Sequence, residues 1–471
     1  MRAPADVAVI GTGIAGLACA HTLLRRGHRV TLVGPRTGAH SGQATRAAGA
    51  MLSTFSEAED GHGPERMAVE QAERLAAHDA WPAFADELST PQQQVVLRRG
   101  TWVLGTAGAP GALQVIADAA AAAGHPWEEH PAGQVPVRPD PRPAGTALWL
   151  PSEAWTDSAV LMEALTRAVA THPASTWHTA PATAVTLPAH AADPVRADLT
   201  DATHLTAHQV VLAAGTATPA LLPDRGRPLG LAPILAGRGV SALLATTAAA
   251  TEHVVRTPND RFACGVHLVP REDGTLYLGG TNRLTLAPDP HLAASVDEAA
   301  SLLHDATTVL DHRLRTAGLL ALRTGLRPYT PDHQPLIGPL ADERLLVAGA
   351  TYRCGILLAP RLATLIADEI DTPGTLATHP WRTLRPMPRP RAGEVVDRAA
   401  AGLVEHILQH GGRLAPGGAR ELEAFLALAL RAMVQGPGPE LDAVARLFSG
   451  APVPEVLPSL YAMAGRLGGR P

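Results

Sequence analysis

The sequence predicts a mixed α/β protein in which two domains interleave along the chain and a helical extension follows them. Residues 7–33 read as a strand, a glycine turn, a helix and a second strand. The middle of the chain then alternates between helical and strand patterns, and residues 395–471 place apolar side chains at helical spacing between glycine-proline breaks. With 471 residues, the chain is long enough for two to four packed units.

The N-terminal unit contains the most specific local motif. The apolar, β-branched run Val7–Ile10 is followed at once by the glycine-rich turn Gly11–Gly16, a helix that ends at Gly27 and a second strand, Arg29–Val33. Glycines at this point let the backbone turn tightly and approach a pyrophosphate, and the helix N-terminus offers N–H groups and partial positive charge. A dinucleotide is therefore the expected ligand. Its expected contacts in the turn are Gly11, Gly13, Ile14, Ala15 and Gly16.

The end of the second strand departs from this pattern. An acidic residue usually stands there to accept hydrogen bonds from the adenosine ribose, but the chain continues with Gly34, Pro35 and Arg36. The ribose contact is therefore expected to be weakened or rearranged, and Gly34→Glu is expected to tighten binding. Arg36 would suit a 2′-phosphate, yet no second strand-glycine-helix unit exists for a separate nicotinamide nucleotide. A single fingerprint favours a bound flavin.

The later elements predict how the two domains share the chain. The predicted helices are Glu65–Leu88, Thr156–Thr171 and Gly355–Asp371, and the predicted strands are Val95–Leu104, Val210–Ala214 and Leu345–Ala350. We expect the oxidoreductase region to span residues 1–371, with cofactor-binding segments at about 1–60, 150–225 and 325–371 and substrate-domain segments at about 61–149 and 226–324.

The chain after residue 371 is expected to be separate. Residues 372–391 are rich in Pro, Arg and Thr and predict a linker with no packing face. Residues 392–471 predict a few short helices, which flavin chemistry should not need. Two roles remain open for this extension: docking a protein partner, or closing the domain or joining two copies of the chain.

Composition excludes several classes of function. All 39 basic residues are arginine, which excludes pyridoxal phosphate enzymes, Schiff-base aldolases and P-loop NTPases in their usual forms. A net charge of -5 with 3% aromatic residues disfavours nucleic acid. The cysteines Cys19, Cys264 and Cys354 form no CxxC pair, so neither a metal site nor a disulfide framework is indicated. Residues 1–6 lack a secretory pattern and no long apolar run occurs, so we expect a cytoplasmic protein outside membranes.

In order and spacing, five segments resemble the D-amino-acid oxidase superfamily of flavoenzymes, and most closely its glycine oxidase and sarcosine oxidase branch. The similarity spans about residues 6–371. The five segments are Gly11–Gly16, Gln43–Leu52, Val210–Gly215, Gly325–Pro328 and Thr351–Leu357. The resemblance implies a Rossmann-like FAD-binding domain with an interleaved α+β substrate domain built on a mixed or antiparallel sheet.

The resemblance also implies where the ligands bind. Arg327 would fork onto the substrate carboxylate, and Arg353 in the loop that caps the flavin would border the same pocket. Both arginines would also lie near the cofactor. The other implied cofactor contacts are Thr45, Arg46, Ala48, Gly49, Ala50, Ala182, Gly215, Tyr352, Cys354, Gly355, Ile356 and Leu357.

Departures from the family pattern bear on the cofactor linkage and the substrate. Gly325 stands where sarcosine oxidases carry the cysteine that is linked to the flavin, and Arg46 stands where other relatives carry a flavin-linked histidine. FAD should therefore be non-covalent. His267 and Asn282 replace a tyrosine and a methionine of the substrate pocket and would make its wall more polar. If His267 faces substrate, kcat/KM should change near an ordinary histidine pKa of about 6.5.

The resemblance implies a FAD-dependent oxidase that converts the C–N bond of a small amino acid or N-substituted glycine to an imine. Water would release an oxo acid or aldehyde and an amine or ammonia, and O2 would become hydrogen peroxide. Three alternatives stay open. The protein could be a dehydrogenase that uses a protein or quinone acceptor, a secondary-metabolism enzyme that cleaves an N-substituted or hydrazine-like amino acid, or a flavin-binding scaffold without activity.

Overall fold

The computed structural model describes residues 6–36, 42–59, 64–106, 111–139, 145–190, 193–246, 249, 251–259, 265–285, 293–387, 396–397, 399–401, 403–404 and 418–435. The chain divides into two compact units, Met1–Met387 and Pro388–Pro471. Cys264, residues 388–391 of the expected linker and most of the expected C-terminal helices lie outside the described residues.

The first unit contains twenty strands and six α-helices within its described residues. The strands are β1 (Asp6–Ile10), β2 (Arg29–Val33), β3 (Gly42–Gln43), β4 (Met51–Leu52), β5 (Arg98–Leu104), β6 (Glu128–Pro131), β7 (Thr146–Trp155), β8 (Ser175–His178), β9 (Ala182–Thr186), β10 (Val195–Leu199), β11 (His204–Ala207), β12 (Gln209–Leu212), β13 (Leu235–Ala245), β14 (Val254–Arg256), β15 (His267–Pro270), β16 (Leu276–Gly279), β17 (Arg283–Thr285), β18 (Gly318–Tyr329), β19 (Leu336–Pro339) and β20 (Leu345–Gly349). The helices are α1 (Ile14–Arg25), α2 (Pro64–Leu88), α3 (Ala112–Ala122), α4 (Ser158–Ala170), α5 (Val296–Asp305) and α6 (Ala359–Asp371).

A six-stranded sheet forms the first layer, in the order β19-β20-β12-β1-β2-β8. Its pairs are parallel except β19 with β20, so the strands of the glycine-turn unit lie in the middle of the sheet. The side chains of β1 alternate between two cores: Val7 and Val9 pack with α1, α4 and α6 on one face, and Ala8 and Ile10 pack towards the other face. The three-stranded sheet β11-β10-β9 covers that second face. This period of two is what a central parallel strand requires.

An eleven-stranded mixed sheet forms the second part of the unit. Its main path is β3-β18-β13-β16-β15-β14-β5-β7-β4, with β17 paired to β13 and β6 paired to β7. The long antiparallel pair β13 and β18 aligns Gly237 with Arg327 and Gly239 with Gly325. The predicted α/β fold class, with a mainly parallel domain and an interleaved mixed sheet, is confirmed.

Most predicted elements shift by three residues or fewer at their ends, and two segments differ more from the sequence expectation. Helix α6 begins at Ala359, because the preceding residues 352–358 form successive turns rather than the first helical turns expected from Gly355. Residues 372–387 belong to the first unit, so the expectation of a linker without a packing face fails there. Leu376 and Trp381 are buried against α6 and its neighbours, and Glu369 accepts hydrogen bonds from the backbone N–H groups of Gly374 and Leu376.

The second unit is helical wherever it is described. Its main helix, α7, spans Gly418–Gln435, and helical residues lie between 396 and 404. A small apolar core joins these helices; its buried residues are Val396, Ala400, Val404, Leu426 and Ala427. Across both units, no helix in the described part of the chain has the length and apolar composition needed to cross a membrane.

Candidate active site

A cavity of about 510 Å³ extends from the carboxyl end of β1 to the face of the large sheet near β15 and β18. The predicted site residues that line it are Gly11, Gly13, Ile14, Ala15, Thr45, Arg46, Ala48, Gly49, Ala50, Ala182, Gly215, His267, Arg327, Tyr352, Arg353, Cys354, Gly355, Ile356 and Leu357. Gly16 and Asn282 are not among the residues that line it. The structure thus brings together five segments that are far apart in sequence.

The three glycines of the turn differ in how much space a side chain would have at each position. At Gly11, where φ is +124°, an added Cβ would lie 2.3 Å from the carbonyl oxygen of Ala213. At Gly16, an added Cβ would lie 1.9 Å from the oxygen of Gly11, so the helix and the strand touch at this point. At Gly13, the nearest atoms, both in side chains, are 3.8 Å away. The protein's own packing therefore requires the first and third glycines, and the second leaves room on the cavity side.

The segment after β2 returns to close one side of the turn. The backbone N–H of Ile14 donates to Thr45 Oγ1 at 3.2 Å, and Gln43 Nε2 donates to the carbonyl of Thr12 at 2.9 Å. Arg46 Nε in turn donates to Gln43 Oε1 at 2.9 Å. These bonds hold the predicted contacts Thr45 and Arg46 at the cavity wall.

Gly34 stands at the position where an acidic residue usually follows the second strand. Gly34 has φ of +136°, and an added Cβ would lie 3.0 Å from a methyl carbon of Thr12. Its carbonyl accepts a hydrogen bond from Trp177 Nε1 at 2.8 Å, and the Arg36 guanidinium lies 5.3 Å from the centroid of the same indole. An L-residue with a side chain would be strained at this φ. The expectation that Gly34→Glu tightens binding therefore loses its structural basis.

The loop Thr351–Leu357 forms the opposite wall of the cavity. Its Tyr352 N–H donates to the carbonyl of Pro328 at 2.9 Å, and Trp81 Nε1 donates to the carbonyl of Leu357 at 2.8 Å. Burial raises the pKa of the Cys354 thiol above its ordinary value, so the thiol is neutral. The loop is therefore held at both ends by hydrogen bonds to its backbone.

Arg327 reaches the cavity from β18 by crossing the neighbouring strand β13 at a glycine, Gly239. An added Cβ at Gly239 would lie 2.0 Å from Arg327 Nη1, so only glycine allows the guanidinium to cross β13 there. Nη1 donates to the carbonyl of Thr281 at 2.9 Å and to Asn282 Oδ1 at 3.2 Å. Both acceptors are uncharged. A guanidinium is always protonated in proteins, so Arg327 places a positive charge at the wall of the cavity.

A buried charge network at the same end of the cavity was missed by the sequence reasoning. Arg256, 1% exposed, donates from Nη1 to Glu57 Oε1 and from Nη2 to Asn259 Oδ1, both at 2.7 Å. Asn259 Nδ2 donates to Glu57 Oε2 at 2.8 Å. Burial would raise the pKa of Glu57, but Arg256 and Arg353 outweigh it and lower that pKa to about 2. No local spacing links Glu57 to Arg256, so no sequence signal could have found the network.

Arg353 belongs to this network. Its Nε lies 3.2 Å from Glu57 Oε2, its Nη2 donates to Glu59, and its guanidinium lies 4.7 Å from the ring centroid of Tyr352. The sequence expectation places Arg353 beside the substrate pocket, and it does line the cavity. Its charge, however, is matched by two carboxylates. Arg327, which the family resemblance places on the substrate carboxylate, remains the candidate for that role and also lines the cavity.

His267 is a buried, neutral group. Its Nδ1 lies 2.8 Å from the carbonyl of Gly265, which makes Nδ1 the donor and Nε2 an acceptor, and its ring stacks on Tyr277. Burial and the charge of Arg256 lower the pKa of His267 to about 4. The expected change in kcat/KM near 6.5 therefore does not follow for this residue.

Asn282 does not occupy the expected place in the wall. Its Oδ1 accepts from Arg327, and its Nδ2 donates to Tyr352 Oη at 2.8 Å. From the sequence, Asn282 is expected to contact substrate. A single aligned position, however, does not reveal which side of a short strand end the side chain occupies. It contacts two residues that line the cavity instead.

Comparison with known families decides the class of this site. The model of the DAO family, described as FAD dependent oxidoreductase, matches residues 6–369. The chain belongs to this family. As a FAD-dependent oxidoreductase, it combines the glycine turn, the segment Gln43–Leu52 and the capping loop in one cavity.

Individual relatives of this FAD-dependent oxidoreductase match only in part. Glycine oxidase of Pseudomonas aeruginosa is 32% identical over 162 residues, covering 34% of this chain and 41% of the relative. The bifunctional protein ThiO/ThiG of Synechocystis is 32% identical over 176 residues, covering 37% of this chain and 25% of the relative. The matched segments thus span a quarter to two fifths of these relatives.

Solved structures of low identity share the fold. The crystal structure of glycine oxidase from Geobacillus kaustophilus has a TM-score of 0.69 at 24% identity, covering 82% of this chain and 100% of that one. The crystal structure of iminodiacetate oxidase from Chelativorans has a TM-score of 0.67 at 18% identity, covering 80% and 98%.

The cavity fits the cofactor of the family. Its walls near the middle consist of small residues, Ala48–Ala50 and Ala213–Gly215, and an added Cβ at Gly49 would lie 2.7 Å from the Tyr277 ring. The open side of Gly13 at the start of α1 suits a pyrophosphate, which the helix N-terminus stabilises. At Gly325, an added Cβ would lie 2.8 Å from Ala47 Cβ, so the structure has no room for a cysteine at this position.

Proposed function

We propose that the protein oxidises the C–N bond of a small amino acid or N-substituted glycine to an imine. Water then releases an oxo acid or aldehyde and ammonia or an amine, while O2 is reduced to hydrogen peroxide. The observation that supports this most is the Arg327 guanidinium, which lines the cavity and is held in place by the carbonyl of Thr281 and by Asn282 Oδ1. The family's FAD is bound without a covalent link.

Different parts of the cavity wall would serve the cofactor and the substrate. The glycine turn and Thr45 would hold the pyrophosphate of FAD, and the capping loop Thr351–Leu357 would cover its flavin ring. When bound, FAD supplies the acceptor for the hydride of the substrate C–H and passes the electrons to O2. Arg327 fixes the substrate carboxylate with a rigid pair of donors, which aligns the C–H that reacts. His267 Nε2 can accept a hydrogen bond from a polar substrate group.

The test of this proposal replaces Arg327 in the flavin-loaded enzyme. Anaerobic bleaching of the flavin with a panel of amino acids and N-alkyl glycines identifies the substrate, and oxygen consumption with peroxide release identifies the acceptor. For the substrate found, Arg327→Ala should lower kcat/KM at least roughly 100-fold, because a charge-assisted contact is lost, while FAD stays bound. Arg283→Ala, at an exposed pair with Asp297, is the matched control. Unchanged kcat/KM in Arg327→Ala would overturn the proposal.

A second candidate is a substrate with an additional polar group, such as a longer N-substituted or hydrazine-like amino acid of secondary metabolism. It is favoured by the polar wall formed by Ser53, Arg256 and His267 where a small substrate would need only apolar contacts. The same panel separates the two candidates. Faster bleaching by glycine and sarcosine than by larger polar substrates would favour the first.

A further inference from the structure

Asn282 contacts Arg327 and Tyr352, which line the cavity, but is not itself among the lining residues. It follows the end of β16 by three residues and immediately precedes β17, and it is half-buried. An added Cβ at Gly237, which is paired with Arg327 in the sheet, would lie 2.6 Å from Asn282 Oδ1. The amide is therefore packed against β13, the strand that the Arg327 side chain crosses.

The chemistry of the two contacts fixes the orientation of this amide. Because Arg327 Nη1 can only donate, the Asn282 oxygen must face it, at 3.2 Å. The amide nitrogen then faces Tyr352 Oη, to which it donates at 2.8 Å. A side chain at this position must accept on one side and donate on the other. An amide does both, whereas an aliphatic side chain does neither and a thioether is only a weak acceptor.

The acceptors around Nη1 determine the plane of the guanidinium. The carbonyl of Thr281 at 2.9 Å and Asn282 Oδ1 both accept from Nη1. Two acceptors on one terminal nitrogen use both of its N–H bonds, so the plane and the rotation of the head group are set. The orientation of the remaining N–H groups towards a substrate carboxylate depends on this plane.

Tyr352 connects the same amide to the capping loop. Its ring lies 5.3 Å from the rings of both Tyr329 and His333, and the guanidinium of Arg353 lies over its face. Asn282 therefore joins two segments that the family motifs place apart: the strand of Arg327 and the loop that covers the flavin.

We propose that Asn282 is a positioning residue, which orients the Arg327 guanidinium for the substrate carboxylate and ties it to Tyr352 of the capping loop. The proposal rests on the proposed function in one respect, namely that Arg327 binds a carboxylate. It replaces the expectation that Asn282 contacts substrate directly. Its effect should fall on carboxylate binding and leave the chemical step nearly unchanged.

The experiment uses the flavin-loaded full chain with Asn282→Leu and Asn282→Asp. Acetate and benzoate serve as carboxylate probes, and their dissociation constants are read from changes in the flavin absorbance spectrum. Asn282→Leu should raise these constants roughly tenfold, since the guanidinium loses one of the two acceptors that hold it. Asn282→Asp should raise them more, roughly 100-fold, because its carboxylate pairs with Arg327 and competes with the probe.

Kinetics separate positioning from a loss of structure. With the substrate found by flavin bleaching, KM should rise with the probe constants in both variants, while kcat stays within roughly threefold. Parallel losses of kcat, with probe constants unchanged, would overturn the proposal. Arg283→Ala should change neither quantity. If Asn282→Leu loses flavin, the nearly isosteric Asn282→Asp carries the test alone.

A third variant tests the link to the loop. Tyr352→Phe removes the hydroxyl that accepts from Asn282, so combining it with Asn282→Leu should add little to either single change. Fully additive effects would overturn the link. Failure of the proposed function would give a different result. Arg327→Ala would then leave the dissociation constants of the carboxylate probes unchanged, whatever the effect of the Asn282 variants.

Discussion

The two ends of the cavity are lined by different kinds of chemical group. At the cofactor end, the contacts come from backbone and small residues: the glycine turn, Thr45, and the alanines and glycine of the segment Ala48–Ala50. At the substrate end, they come from charged side chains, with Arg327 on β18 and the network of Glu57, Arg256 and Arg353 in the wall itself.

The difference shows in how each end depends on its neighbours. The glycine turn needs empty space, and a substitution at one of its positions either fills that space or leaves it open. The charge network needs partners, because a buried ion without its counter-ion costs several kcal/mol. A second buried carboxylate, Glu153, accepts from the backbone N–H groups of Phe55 and Ser56 and so holds the loop that carries Glu57. The substrate end should therefore respond more strongly than the cofactor end to a single isosteric change.

The largest effect is expected for Glu57→Gln, which keeps the shape and removes the charge between Arg256 and Arg353. Two buried guanidinium groups then lose a common carboxylate, so the free energy of unfolding should fall by about 3–5 kcal/mol. Urea denaturation in the presence of saturating FAD measures it. The matched control is Glu59→Gln, which should cost less, since within the described residues the ion pair of Glu59 is with Arg353. Equal losses in the two variants would contradict the central place of Glu57.

The next effect concerns the cofactor end and appears in binding rather than in stability. Gly13→Ala should raise the dissociation constant for FAD at least roughly 100-fold, about 2.7 kcal/mol, because its methyl group occupies the space next to the pyrophosphate. The apoprotein should stay as stable as the wild type, since Gly13 has φ of -75° and nearby atoms are 3.8 Å away. Titration of the apoprotein with FAD, followed by flavin fluorescence, measures the constant.

Gly11→Ala is the contrasting control for the same turn. Its added Cβ meets the backbone oxygen of Ala213, so the variant should lose stability as well as cofactor affinity. If Gly13→Ala instead unfolds like Gly11→Ala, the distinction between the two glycines is wrong.

The third effect is a pH dependence at the substrate end. Because the pKa of His267 is lowered to about 4 in the folded protein and is about 6.5 when unfolded, only the unfolded chain takes up this proton between those values. The histidine therefore makes folding less favourable as pH falls from 6.5 towards 4, by about 2 kcal/mol at pH 5. Between pH 7.5 and pH 5, the free energy of unfolding should fall by about 2 kcal/mol less for His267→Gln, which does not titrate, than for the wild type. Parallel pH profiles would show that His267 is readily protonated.

The smallest effect is expected at Gly34. Gly34→Glu should destabilise the protein by about 1–2 kcal/mol, because its φ of +136° disfavours a side chain. FAD affinity should not improve, since the strain opposes any new contact with the ribose. Gly34→Ala, measured by the same urea denaturation and FAD titration, separates the strain from the effect of the carboxylate. A tighter FAD complex for the glutamate variant would show that the backbone at this position adapts.

The sequence by itself determined the parts of the protein that depend on local backbone. A strand, a glycine turn and a helix in succession predict β1, α1 and the placement of the turn at the cavity, since steric space and helix dipoles act within a few residues. Arg327 could also be placed, because it stands in a short motif of the family. By contrast, the same reasoning gave Leu376 and Trp381 no packing partner, because their burial depends on α6 rather than on a periodic pattern of their own.

Only the tertiary structure decided which charged and polar side chains meet. Glu57 and Arg256 are 199 residues apart, and their contact exists because β14 and the loop after β4 converge on the same wall. The strand ends likewise turn Asn282 onto Arg327 and Tyr352, and they bury His267 beside Arg256, which lowers its pKa. Electrostatic energies depend on distance and burial in three dimensions, and neither quantity is encoded in a local pattern of residues.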